Sequence, residues 1–169
     1  RPTVALVGRL RRYKGVDVLL DAFARVLRDV PDAVLEVIGD GPHRGALEAR
    51  ARQLGLDPGS QARFRGFVPA ATKVDLLSSA HVSVCPSPKE GWGLTVVESN
   101  ACGTTVVASR SPGLVDSVGT LDDYVTATWG MRTYDFGPSP QGLQLLSRAL
   151  QDSAVAAVQR LAVSVPAIR

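Results

Sequence analysis

The sequence predicts an α/β fold, a single doubly wound, Rossmann-like parallel sheet with flanking helices. Three observations predict it. Short apolar runs of strand length alternate five times with stretches whose apolar residues recur at intervals of three and four. Several of the runs end at Gly or Pro, which punctuate the passage from strand to loop to helix. The 169 residues suffice for one ordinary core and not for two well-buried domains, since single domains hold roughly 100 to 200 residues. In such a sheet ligands bind beyond the carboxyl ends of the strands. The loops after the strands are therefore where chemistry is expected.

Residues 3–8, Thr-Val-Ala-Leu-Val-Gly, have the form of a buried parallel strand. Residues 16–30 put Val16, Leu19, Leu20, Phe23, Val26, Leu27 and Val30 on one helical face, and Pro31 stops the pattern. A second strand is predicted over 33–38, a turn at Gly39-Asp40-Gly41-Pro42, and a second helix over 44–54 that ends at Gly55. Weaker signals follow: a strand at 62–64, a helix near 72–79, a strand at Val82–Cys85, a helix near Leu94–Ala101 and a strand at 105–109. Beyond Val118 the pattern degrades. A last strand is expected at 124–128, a loop at 137–140, and short helices at 141–150 and 154–163 before Pro166.

Hydrophobic residues make up 45% of the chain and charged residues 21%, a globular composition. No apolar run approaches the roughly 18 to 20 residues that span a bilayer, and no charged-then-apolar leader opens the chain. It begins Arg1-Pro2, without Met, and is apolar by Val4, so it is expected to be a piece of a longer protein. Cys85 and Cys102 lack a Cys-x-x-Cys partner and His43 and His81 lie far apart. Structural zinc wants four clustered ligands, so no metal is expected. Free cysteines in apolar surroundings behave as small buried hydrophobes and fit a reducing, cytoplasmic setting, with a peripheral place at the inner face of a membrane as its variant. The net charge of +3 is uneven: residues 1–65 carry 12 Lys/Arg against 8 Asp/Glu, and residues 66–169 carry 7 against 8. That points to a local anion site. A nucleic-acid surface would want a longer basic stripe and more than 5% aromatics.

Two constellations could carry chemistry. Gly8-Arg9-Leu10-Arg11-Arg12-Tyr13-Lys14-Gly15 lies between the first strand and first helix and holds four cations in six positions. The helix N-terminus adds partial positive charge there, so an anion is expected, against the plainer reading of a solvated basic loop. The second, residues 86–98, joins the fourth strand to its helix and contains Gly91, Gly93, Glu90 and Glu98. The glycines let backbone approach a ligand closely, and the N–H groups of Leu94 and Thr95 open the helix toward anions. A carboxylate accepts two hydrogen bonds at once, which suits a vicinal diol. A ligand with phosphates in the middle and a sugar at either end offers one diol to each Glu. The plainer reading of Glu98 is a surface helix residue. The expected ligand is thus a sugar, a diphosphate and a nucleoside in one molecule.

The run Glu90-Gly-Trp-Gly-Leu-Thr-Val-Val-Glu98, continued by Ala101-Cys-Gly103 and Val106-Val107, resembles the two-glutamate motif of retaining glycosyltransferases of family 4. Gly8-Arg9-Leu10 with Lys14-Gly15, Ile38-Gly39-Asp-Gly41-Pro42, Gly66-Phe67-Val68-Pro69 and Cys85-Pro86-Ser87 follow in the order and spacing of that family. The resemblance covers about residues 3–118 and leaves 119–169 as a tail outside it. It implies that residues 1–169 form the donor-binding C-terminal half of a two-domain GT-B enzyme whose N-terminal, acceptor-binding half is absent from this chain. It gives Arg9 and Lys14 to the donor diphosphate and Glu98 to the ribose hydroxyls. It gives Glu90 and the backbone of Trp92, Gly93 and Leu94 to the transferred sugar, Thr95 to a phosphate through its N–H, and Phe67, Val68 and Lys73 to the base. Arg9, Lys14 and Glu90 would be the catalytic set, with a UDP- or GDP-sugar as donor, a saccharide, lipid or small molecule as acceptor, and neither metal nor cofactor. Ser111-Pro112-Gly113 replaces the family's Gly-Gly loop, Thr105 stands at a usual Pro, Ser99-Asn100 at Ala-Met, and Asp116 at Glu.

Three rival readings use the same residues. Gly39-Asp40-Gly41-Pro42-His43-Arg44-Gly45 imitates the dinucleotide fingerprint of a dehydrogenase, but its third Gly is one residue late and it follows the second strand. A nucleotide-sugar-binding module without turnover would need the same cradle as an enzyme. So would a nucleotide-sugar epimerase or hydrolase of this architecture.

Overall fold

The computed structural model describes residues 1–109 and 111–114, together with the backbone of 132–134. Six strands, β1 (Thr3–Val7), β2 (Val34–Ile38), β3 (Ala62–Gly66), β4 (Val82–Cys85), β5 (Val106–Ser109) and β6 (Arg132–Tyr134), form one sheet in the order β3-β2-β1-β4-β5-β6. Every neighbouring pair is parallel. Four helices connect them: α1 (Val16–Asp29), α2 (Arg44–Gln53), α3 (Ala70–Ser79) and α4 (Leu94–Ala101). The chain builds outward from β1 to β3, then returns to place β4 on the other side of β1. Because crossovers between parallel strands are right-handed, this reversal puts α1 and α2 on one face and α3 and α4 on the other. It also makes the β1/β4 border the switch point, where the loops leaving two adjacent strands part and open a crevice. Those are the two loops that carry the sequence constellations.

The period of two in each strand sorts side chains between the faces. Val4 and Leu6 of β1 join Leu35 and Val37 of β2 under α1, which buries Val16, Leu19, Leu20, Phe23 and Val26. Ala5 points the other way, into a small cluster with Leu77 of α3 and Ala80. A third cluster, Cys85, Val96, Val106, Ala108 and Leu114, packs α4 on β4 and β5. Asp21 of α1 and Arg50 of α2 pair at 2.7 Å and tie the two helices of the first face together.

The predicted α/β architecture and its first five strands are observed, with shifted ends. β3 runs on to Gly66 instead of ending at 64. Glu36 of β2 is buried, and Arg65 grips it at 2.6 and 3.0 Å while Arg63 adds a bond of 3.1 Å. A buried carboxylate is costly unless paired, so the two arginines keep β3 beside β2 as far as Gly66, across a register shift in which Val37 faces Phe64 and Ile38 faces Gly66. α3 begins at Ala70, two residues before the predicted start, because Ala70 and Ala71 are good helix formers and Pro69 precedes them in the extended region. A single 3₁₀ turn at Arg12–Lys14 and strand β6 are additions to the sequence reading. The strand expected at 124–128 and the helices expected at 141–150 and 154–163 lie outside the described residues.

Candidate functional site

The loop after β1 follows the end of β2: Gly8 N–H donates to Ile38 C=O at 3.0 Å and Leu10 N–H to Asp40 C=O at 2.9 Å. It then tightens into the 3₁₀ turn and swings into α1 through Gly15, at φ 67°. A Cβ at Gly15 would lie 2.6 Å from the Pro86 carbonyl oxygen. Only glycine lets the β1 loop press this closely on the β4 loop, and that contact brings the constellations together.

Lys14 Nζ donates directly to Glu90 Oε1, a pair that spans 76 positions of sequence and leaves the two side chains 22% and 16% exposed. Arg9, Lys14 and Glu90 line one small cavity with Gly8, Pro86 and Ser87. A larger cavity of about 390 Å³ is lined by Arg9, Asp40, Phe67, Val68 and Lys73, with Val7, Ile38 and Ala70 among its apolar walls. Val7, Gly8 and Arg9 belong to both cavities, so the two adjoin along the carboxyl end of β1. The result is one continuous cleft.

Its electrostatics follow from the pairings. Lys14 is matched by Glu90, and Lys73 Nζ of α3 donates to Glu98 Oε1 of α4 at 2.7 Å. Arg9 is exposed and has no ion pair among the described residues. Asp40 faces inward too, but its Oδ1 accepts the Gly41 N–H at 2.7 Å and its Oδ2 lies 3.4 Å from Arg44. The uncompensated charge in the cleft is therefore the Arg9 guanidinium.

Trp92, Gly93, Leu94 and Thr95 stand at the start of α4, beside Glu90, and line neither of the two cavities. Gly93 is the N-cap, at φ 66°, and no side chain caps the helix, so its first N–H groups remain available to an acceptor. Trp92 and Leu94 are exposed, and Phe67 is 90% exposed at the mouth of the larger cavity. Thr95 Oγ1 donates to Cys85 Sγ at 3.8 Å. Burial pushes the Cys85 thiol above its ordinary range, so it is no nucleophile at neutral pH.

Three residues that the sequence reading did not assign also shape the site. Ser109 Oγ donates to the Ser87 carbonyl and Ser87 Oγ to the Lys89 carbonyl at 3.0 Å, which fixes the loop that carries Glu90. Gly113 lies so close to the Glu90 carbonyl that a Cβ there would collide with it. In the sequence Gly113 stood out only as a remnant of a Gly-Gly loop, and a serine hydroxyl on a strand carries no signal of its partner.

Residues 1–128 match the family model described as glycosyl transferases group 1. The chain belongs to this family. A GDP-mannose-dependent alpha-(1-6)-phosphatidylinositol dimannoside mannosyltransferase of Mycobacterium tuberculosis is 39% identical to this group 1 domain over 112 residues, 66% of this chain and 28% of the relative. A D-inositol 3-phosphate glycosyltransferase of Segniliparus rotundus is 31% identical over 156 residues, 86% of this chain and 34% of that protein. The domain thus spans about a third of the length of the curated relatives it matches. The crystal structure of WaaG, a glycosyltransferase involved in lipopolysaccharide biosynthesis, superposes with a TM-score of 0.70 at 21% identity, over 98% of this chain and 43% of its own. The fold is that of one half of a GT-B glycosyltransferase. Among the described residues no helix is long and apolar enough to cross a membrane.

Proposed function

We propose that this domain holds the nucleotide-diphosphate sugar of a two-domain glycosyltransferase and transfers the sugar with retention of anomeric configuration. The observation that carries the reading is the meeting of Arg9, Lys14 and Glu90 in one small cavity that opens into the larger one between Phe67, Val68 and Lys73. The larger cavity has apolar walls for a base, and the smaller one, of about 20 Å³, sets opposite charges at its edge toward a phosphate and a sugar that lie outside it. The transferred sugar then sits by Glu90 and the start of α4, and the diphosphate bridges the two cavities at Arg9.

Chemistry at that bridge is a separation of charge. As the bond from the anomeric carbon to the diphosphate lengthens, the sugar becomes oxocarbenium-like and negative charge grows on the departing phosphate. Lys14, held by Glu90, and the uncapped N–H groups of α4 are in place before the reaction and Arg9 adds its unpaired charge, so together they stabilise the departing phosphate, which is commonly the largest electrostatic contribution to catalysis. Glu90 accepts hydroxyls of the sugar and orients it. It is not assigned as a nucleophile, and the departing phosphate itself takes the acceptor's proton.

The relatives named for GDP-mannose and for D-inositol 3-phosphate make GDP-mannose the first donor to assay and polyol acceptors the first class to offer. Calorimetry of this chain against GDP, UDP and ADP tests the site, and joining it to its acceptor-binding half tests the reaction. Transfer that is lost on Arg9→Ala, with the product's anomeric centre unchanged by NMR, supports the proposal. Donor binding with no transfer by the joined protein would make the domain a binding module, and release of free sugar a hydrolase.

A further inference from the structure

Glu98 and Lys73 sit at equivalent heights on adjacent helices. Glu98 is the fifth residue of α4 and Lys73 the fourth of α3, so each lies about one turn into its helix. Their ion pair, at 2.7 Å, is the one described side-chain bond between the two helices. Lys73 lines the larger cavity and Glu98 does not. The Lys73 ammonium uses Oε1 of Glu98 and leaves Oε2 without a hydrogen bond among the described residues. At 28% and 42% exposure the pair is too wet to matter much for stability. A half-exposed glutamate without such a partner would sample several rotamers, and ordering it would weigh against ligand binding.

Resting on the reading of Glu98 as the ribose contact, we propose that Lys73 is a positioning residue: it pins the Glu98 carboxylate beside the cavity so that it meets the ribose hydroxyl pair, and so makes the site selective for ribonucleotide over deoxyribonucleotide donors. Lys73 then acts through Glu98 and has little direct contact with base or phosphate. This departs from the role at the base that the sequence resemblance implied.

The test is titration of GDP and of 2′,3′-dideoxy-GDP into the wild-type chain, Lys73→Met, Lys73→Arg, Glu98→Gln and the double variant Lys73→Met/Glu98→Gln. Lys73→Met should weaken GDP by about 3- to 10-fold, the cost of ordering one freed side chain, and weaken the dideoxy compound less than about 2-fold. Lys73→Arg should restore most of the preference, and Lys73→Met should add nothing on top of Glu98→Gln. Equal losses for GDP and the dideoxy analogue, or additive effects in the double variant, would overturn the role of Lys73 alone. A wild-type chain that binds GDP with no preference for the diol would overturn the placing of Glu98 at the ribose, and Lys73 with it.

Discussion

The two faces of the sheet are built to different standards. On the first, α1 alone buries Val16, Leu19, Leu20, Ala22, Phe23 and Val26, several of them with no exposed surface. On the second, α3 buries only Leu77, and α4 buries Val96 and Ser99. Yet the second face carries Lys73 and Glu98 and, at the start of α4, the loop of Glu90. The difference teaches that the helix stretches which bury most and the ends that meet ligand are separate, for Arg9 and Lys14 also lie ahead of α1 and outside its buried stretch. A helix that must present charged groups and free N–H groups at its first turn has less of its surface left to bury.

Four substitutions or titrations would break or sharpen that division. Phe23 is completely buried on the first face, so Phe23→Ala should lower unfolding stability by about 3–5 kcal/mol in urea denaturation. Where the variant is still folded, its affinity for GDP should match the wild type. Lys14→Ala should do the reverse. It should weaken GDP binding by about 1.5–3 kcal/mol, the contribution of one charge-assisted bond, while the loss of its partly buried pair with Glu90 takes less from stability than Phe23→Ala does. If Lys14→Ala destabilised the chain as far as Phe23→Ala, the separation of roles would be wrong.

The third is a pH dependence. Burial holds the His81 imidazole below its ordinary value of 6.5, while its Nδ1 accepts the Thr3 N–H at 3.2 Å at the start of β1. The unfolded chain therefore takes up this proton at a higher pH than the folded one. Stability from His81 is whole above about pH 6.5 and declines as pH falls through the lower folded value. His81→Gln should flatten that part of a stability profile measured between neutral and mildly acid pH; an unchanged slope would assign the acid loss to other groups. Smallest of all, Lys89→Ala should change GDP affinity by less than about 0.5 kcal/mol, since the Lys89 side chain is exposed and lines neither cavity. An effect as large as that of Lys14→Ala would mean that the cleft extends over the Lys89 side of the loop.

Much of this was legible in the sequence because it is written in local patterns. The spacing of Leu19, Leu20, Phe23 and Val26 announces α1, and the cations between Gly8 and Gly15 announce an anion site at a strand end. What the sequence could not give is pairing across space. The resemblance puts Lys14 and Glu90 in one catalytic set but not in contact, and their ion pair depends on Gly15 passing under Pro86. Lys73 is placed at the base by the resemblance, and its pairing with Glu98 emerges only when α3 lies beside α4. Glu36 reads as an interruption in an apolar run until Arg63 and Arg65 stand next to it, and for the same reason the end of β3 was placed too early. Gly113 and Ser109 support the Glu90 loop from β5 and the turn after it, a distance over which periodicity carries no information.

The clamp on Glu36 has one more consequence. Among the described residues β3 is the outermost strand on its side of the sheet, and a border of that kind invites a strand from another molecule to add on, the first step toward aggregation. Here the border is studded with two guanidinium groups whose counter-charge sits one strand inward. An incoming strand would have to settle against that fixed positive charge, and replacing both arginines with valine would not only invite such a neighbour but strand a carboxylate inside the protein. The same three side chains thus guard solubility and the pairing of β2 with β3 together.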